Sequence, residues 1–160
     1  MTTRRDDHSE LVEVLTELLG LLDLLAAIEP KSLLYPQPDT GKHAPGTINA
    51  TAASIAGYSA QAITLMSLLP YLQDYDFQIG HSTHMVDYAY YTEDGFTEER
   101  IVYGEDGEEF MHPSVVQLTS GESIYGLRRI YDVDQSKSAY HYFNHLYMLR
   151  PKQKSYMCGI

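Results

Sequence analysis

Leucines at 11, 15, 18, 22 and 25 follow one another in alternating steps of four and three, the period of a single helix face. Asp7 and Glu10 stand at the spacing of a capping box, with Asp in place of Ser or Thr at the cap. The spacing predicts a long helix over 9–28. Val12, Val14, Leu19, Leu21, Leu24 and Ile28 widen its apolar arc until only a strip through Glu13, Glu17, Gly20 and Asp23 stays polar. Such a helix must be covered on nearly all sides. A chain of 160 residues, 44% of them hydrophobic, matches one domain and has limited material to wrap one helix. Two arrangements satisfy the arc. Either the helix is the centre of the core, or a homodimer or partner packs along it with Leu18 and Leu22 at the middle of the contact.

Pro30, Pro36, Pro38, Gly41, Pro45 and Gly46 break the chain into a loop over 30–46, long enough to cover a pocket. Two short helices are expected within 47–72. Asn49 to Ala56 is stopped by Gly57, and Ser59 caps a run to Leu69 before Pro70. Ile55, Ala62, Ile63, Met66 and Leu69 form the expected buried side. After Tyr75 the period becomes alternating. Met85 to Tyr91 and Glu99 to Tyr103 read as strands joined by a turn at Asp94-Gly95, with a second turn at Gly104 to Gly107. Ser114 to Leu118, Leu127 to Asp132 and Ala139 to Phe143 read as three more, rich in Tyr, Val and Ile. The expectation is an α+β fold, with N-terminal helices packed on an antiparallel β-meander over 85–143. Arg150, Lys152 and Lys154 mark 144–160 as a basic tail.

Charge is distributed very unevenly. Asp74 to Glu109 holds eleven carboxylates against one cation, Arg100, so it nets −10 of a whole-chain −11. Nucleic acid and anionic membrane surfaces need Lys and Arg to replace released counterions, and this segment repels both. Ala53, Gly57, Ile63 and Met66 do fall at helix-turn-helix offsets. The second helix of that corner nevertheless lacks Lys, Arg, Asn and His, and Gln61 is its sole base-reading side chain, so no DNA partner is expected. No window offers about 18 uncharged apolar residues, and Glu13, Glu17 and Asp23 interrupt the Leu-rich run as no signal peptide would allow. The lone Cys158 has no intrachain partner, and Cys158-Gly159-Ile160 is one residue short of a prenylation box. A cytoplasmic protein without membrane contact is expected.

His81, His84 and Asp87, with Asp74 and Asp76 upstream, are ligand types for a metal, but no metal-site spacing is matched, so neither metal nor cofactor is expected. His141 and His145 lie four apart in a stretch that reads as strand. Nucleophile motifs are absent, and Glu105 and Asp106 inside Gly104 to Gly107 would repel phosphate. The tyrosines are a stronger signal. Tyr88, Tyr90, Tyr91, Tyr103, Tyr125, Tyr131, Tyr140 and Tyr142 cluster in the expected sheet. Phenol rings combine large contact area with a polar end, which suits a protein interface, an aromatic pocket or the edge of a core.

The run Pro113-Ser114-Val115-Val116-Gln117-Leu118, then Gly126 to Asp132 and the aromatic strand Tyr140 to Phe143, resembles the sheet core of the SUKH superfamily. Leu68-Leu69-Pro70-Tyr71-Leu72 resembles the Leu-Pro segment that precedes that sheet, and the layout is similar to that of small fungal proteins. The chain departs from the family in lacking its Gly-rich segment and in its longer first helix. The resemblance implies a non-enzymatic protein-binding module of the kind found in fungal cell-wall regulators and bacterial immunity proteins. It transfers no catalytic residue.

The leading expectation is an acidic protein–protein interaction module without catalysis. Tyr88, Tyr90, Tyr131, Tyr140 and Tyr142, with Glu105, Asp106, Glu108 and Glu109, would engage a basic protein partner. The rival is a small cone-shaped α+β enzyme of the SnoaL-like isomerase and cyclase type, with His84, Asp87, Tyr90, Tyr140 and His141 as acid–base groups beside aromatic walls. A third arrangement is a structural subunit that dimerises through the first helix.

Overall fold

The computed structural model describes residues 8–25, 27–74, 76–104, 107–121, 126–142 and 145–148; at 30, 102–104, 107–109, 140–142 and 145–148 it describes the backbone alone. Helix α1 spans Ser9–Leu24, with His8 at the cap position making no side-chain cap bond, while Asp7 lies outside the described residues. The helix ends short of Ile28. Pro30 disfavours helical backbone in the residue before it, and the chain turns to bury Ile28 against Leu19 and Leu72. Nor is α1 enclosed. Val12 and Leu15 pack on the main core and Leu22 on the smaller cluster, while Val14, Leu18, Leu21, Leu24 and Leu25 face water.

Helix α2, Ala50–Ile55, starts where the Asn49 side chain accepts the Ala52 N–H, and α3, Ala60–Met66, where the Ser59 side chain accepts the Ala62 N–H. Gly57 between them has φ +90°, the left-handed backbone that glycine supplies beyond a helix end. Ala53, Ala62, Leu65 and Met66 turn inward to meet the main sheet. That sheet joins β3 (Thr83–Met85), β6 (Val115–Gly121), β7 (Arg128–Asp132), β8 (Lys137–Tyr142) and β9 (His145–Met148) in the order 3-6-7-8-9, all antiparallel. Strands β1 (Leu33–Leu34) and β2 (Tyr71–Leu72) form a short pair, as do β4 (Ile101–Gly104) and β5 (Gly107–Phe110). The molecule is α+β, with antiparallel sheets, as its hydrophobic patterning implies.

Three segments depart from the sequence reading. Met85 to Tyr91 is not a strand: pairing ends at Met85, and after one further bond, Val86 N–H to Leu118, the Asp87 side chain accepts the Ala89 N–H and turns the chain away. The alternation there sorts side chains between core and solvent, with Val86, Tyr88 and Ala89 buried and Tyr90, at φ +62°, exposed. Glu93–Arg100 is a helix, α4, whose start is the Thr92 hydroxyl accepting the Gly95 N–H. Asp94-Gly95 therefore sits in a first helical turn, where Glu93 and Asp94 meet the positive end of the helix dipole. Finally, 145–148 forms β9 where a basic tail was expected, and 149–160 lies outside the described residues.

Candidate functional site

Helix α4 presents the acidic segment. Asp76, Glu93, Asp94 and Glu98 are exposed, and Asp74 and Glu99 are half-buried. Arg100, the segment's one cation, does not neutralise them. It is buried, donating from Nη1 to the Ala56 carbonyl and from Nη2 to the Met111 carbonyl, with its guanidinium 5.4 Å from the Tyr58 ring centroid. Arg100 thus turns inward, while Glu93, Asp94 and Glu98 of the same helix stay exposed.

Beside α4 lies a cleft of about 180 Å³ lined by Asp74, His84, Met85, Asp87, Tyr91 and Glu99. Glu99 is held from two sides: Tyr91 Oη donates to Oε1 at 3.2 Å, and Gln117 Nε2 to Oε2 at 2.7 Å. Burial pushes its carboxyl above the ordinary range, against the opposing pull of the Tyr91 bond and the Arg128 charge, while Glu98 adds to the rise. Asp87 is shifted the same way. Burial raises it, and the Ala89 N–H, the Gln73 amide and the His43 ring oppose. Its Oδ1 accepts the Ala89 N–H, and its Oδ2 is buried. The cleft therefore holds two carboxyls that take a proton more readily than exposed ones. Small-molecule sites usually run to about 300–1,000 Å³, so this volume suits a fragment-sized group and not a whole cofactor. Among the described residues no group of three or more His, Cys, Asp or Glu side chains is arranged to hold a metal ion.

The expected site residues are scattered by the fold. Tyr88 is fully buried, its Oη donating to the Gln117 carbonyl and accepting the Gln117 N–H, with its ring stacked on Phe96 at 5.9 Å. Tyr131 is buried too, with Oη 3.1 Å from His8 Nδ1. Neither ring belongs to an open sheet face, because both fill the core. Tyr90 is exposed on the loop after β3, apart from the cleft. His84, on β3 opposite Ser120, lines the cleft with Asp87. Tyr140, His141 and Tyr142 occupy β8, paired with Tyr147, Leu146 and His145 of β9. Glu108 and Glu109 lie on β5 opposite Tyr103 and Val102, whereas Glu105 and Asp106 fall outside the described residues. Leu18 is exposed and Leu22 half-buried against the smaller cluster.

Tyr91 stood among the clustered tyrosines without being singled out for a site, and Glu99 and Gln117 were not singled out at all. The local signal for the first two was Thr92-Glu93-Asp94, a cap followed by acids, which starts a helix and sets Tyr91 against its first turn. Gln117 had no such signal, since a polar residue in a strand that reads as half-buried looks solvent-facing until the structure shows it fully buried against Glu99.

No family model matches the chain, and no curated protein or solved structure is significantly similar to it. Among the described residues no helix is long and apolar enough to cross a membrane.

Proposed function

We propose that this chain is a non-catalytic protein-interaction module that recognises a basic protein partner through the acidic surface around α4. The observation that carries the reading is the position of Arg100: buried on two backbone carbonyls, it leaves the exposed Glu93, Asp94 and Glu98 of α4 without a cation from their own helix. A field of that kind steers cationic partners and turns away nucleic acid and anionic membranes. The resemblance to the SUKH sheet core agrees with a binding role, and the lone Cys158 agrees with a cytoplasmic setting. The test is titration with a lysine-rich probe peptide at rising salt. Saturable binding that weakens steeply with salt, and weakens again in a Glu93→Gln, Asp94→Asn, Glu98→Gln variant, supports the reading; binding indifferent to both refutes it.

A second reading, a small enzyme, has one observation in its favour: His84 and Asp87 line the same cleft, with Tyr91 and Glu99 beside them. In this reading Asp87, buried and readily protonated, exchanges a proton with a fragment-sized substrate. Chemical-shift mapping with small fragments separates the two. Shifts gathered at His84, Asp87, Tyr91 and Glu99 that disappear in Asp87→Asn favour the enzyme, and an unresponsive cleft favours the interaction module.

A further inference from the structure

Helix α1 carries two apolar stripes, and only one of them is used. Val12, Leu15, Leu19 and Leu22 turn toward the two core clusters. Val14, Leu18, Leu21 and Leu25, in steps of four, three and four, turn away from them, with exposures of 55%, 40%, 51% and 66%. Leu24, at 80%, borders this outer stripe. Together these side chains leave on the order of 500 Å² of apolar surface in water, near the top of the range for a monomer's largest patch. The 3-4 spacing makes a narrow seam of the kind that one helix offers to another packed nearly parallel to it at about 20°. A flat surface would call for a broader face.

Charge decides what kind of helix fits. Glu10, Glu13 and Glu17 are exposed, and at 3.6 residues per turn they edge the seam on the side remote from the core. No Lys or Arg occurs from Ser9 to Leu25. A second copy would bring another all-acidic helix to the seam, on a protein whose net charge is already −11. A helix with basic flanks would instead meet complementary charge along its length.

We infer that the outer stripe of α1 docks an amphipathic helix of the partner protein, one with an apolar 3-4 stripe flanked by Lys or Arg. The inference rests on the basic-partner reading above and adds a second contact to it, distinct from α4. From Val14 to Leu25 the seam runs about 17 Å at 1.5 Å per residue, which a partner helix of about three turns covers.

Two synthetic helical peptides of about three heptads test this, identical in their Leu stripe, one with Lys flanks and one with Glu flanks. The expected result is saturable binding of the Lys-flanked peptide, at least tenfold weaker binding of the Glu-flanked one, and at least a tenfold loss in Leu18→Ser and in Leu21→Ser with helix content unchanged by circular dichroism. A Glu10→Gln, Glu13→Gln, Glu17→Gln variant, altered only at exposed positions, reads the charge contribution should a leucine variant fail to fold; it too should weaken the Lys-flanked peptide, and no change would overturn the inference. Unchanged affinity in both leucine variants overturns the seam, and if the α4 variant alone then weakens binding, the basic-partner reading survives without it. Equal binding of the two peptides removes the charge argument and sinks inference and reading together. Sedimentation of the wild type as a dimer that Leu18→Ser splits would give the seam to a second copy, and binding to zwitterionic vesicles lost in the same variant would give it to a lipid surface; either overturns the inference.

Discussion

Arg100 donates from Nη1 to the carbonyl of Ala56, the residue that closes α2. A cation at a helix C-terminus meets the negative end of the dipole and an otherwise unsatisfied carbonyl, and Nη2 ties the same side chain to Met111. Gly57 follows Ala56 with φ +90°, and a Cβ there would run into the Arg100 guanidinium. Gly46, at φ +88°, has open space around its missing Cβ. The pair makes an internal control. Gly46→Ala should cost about 1–2 kcal/mol from left-handed backbone alone. Gly57→Ala should cost more by about 1.5–3 kcal/mol, the usual worth of a hydrogen bond to a charged group. Urea denaturation of both variants measures the difference, and equal losses would mean that Arg100 relocates freely.

Asp87 and Glu99 make stability depend on pH in a direction opposite to that of paired carboxylates. Their folded-state pKa values lie above the ordinary 3.8 and 4.5, so the folded chain holds these protons longer than the unfolded one. Their contribution is fully present below the ordinary values and is lost as pH rises through the raised ones. Asp87→Asn keeps an acceptor for the Ala89 N–H and removes the charge. Its advantage over the wild type should be smallest near pH 4 and grow toward pH 7, read as melting temperature across that range. A variant that loses ground as pH rises would show that ionised Asp87 is stabilised in the fold.

The buried tyrosines predict an alkaline transition. Burial, first among the causes, pushes Tyr58, Tyr71 and Tyr88 upward, with Asp87 adding to the shift at Tyr71 and Glu99 at Tyr58 and Tyr88. Such groups favour the fold below their ordinary value of 10 and cease to do so as pH climbs past it. Phenolate absorbance should therefore rise in two stages, the second coinciding with loss of circular dichroism. A single smooth titration that reaches all fourteen tyrosines before unfolding would contradict this burial.

Local chemistry explains which parts were legible in the chain. Asn49, Ser59 and Gly57 speak for helix ends through their own side chains or lack of one, and the α+β class follows from a helical period giving way to an alternating one. Met85 to Tyr91 misled because an alternating run reads the same whether alternate residues line a sheet or merely divide between core and solvent. Asp87 breaks the ladder with its own carboxylate, a competition that periodicity does not register. The cleft was less legible still. Tyr91 and Gln117 reach Glu99 across 8 and 18 residues, and that meeting depends on the fold bringing the last turn of α4 to β6. The acidic segment was visible as composition, but the inward turn of Arg100, away from the exposed carboxylates of its own helix, is a tertiary event.

Adjacent leucines on α1 test the division of that helix into an inner and an outer stripe. Leu19 is fully buried with Ile28 and Leu72, whereas Leu18, one residue earlier, is 40% exposed. Leu19→Ala removes packed atoms and leaves a cavity, at a cost of about 2–5 kcal/mol. Leu18→Ala removes atoms that are largely in water, and alanine's higher helix propensity offsets part of what is lost, so its effect should stay within about 0.5 kcal/mol. Denaturation midpoints of the two variants at low micromolar concentration give the comparison. If Leu18→Ala costs as much as Leu19→Ala, and the cost rises with protein concentration, the outer stripe is covered in the isolated chain by another copy of itself and no basic helix is needed to explain it.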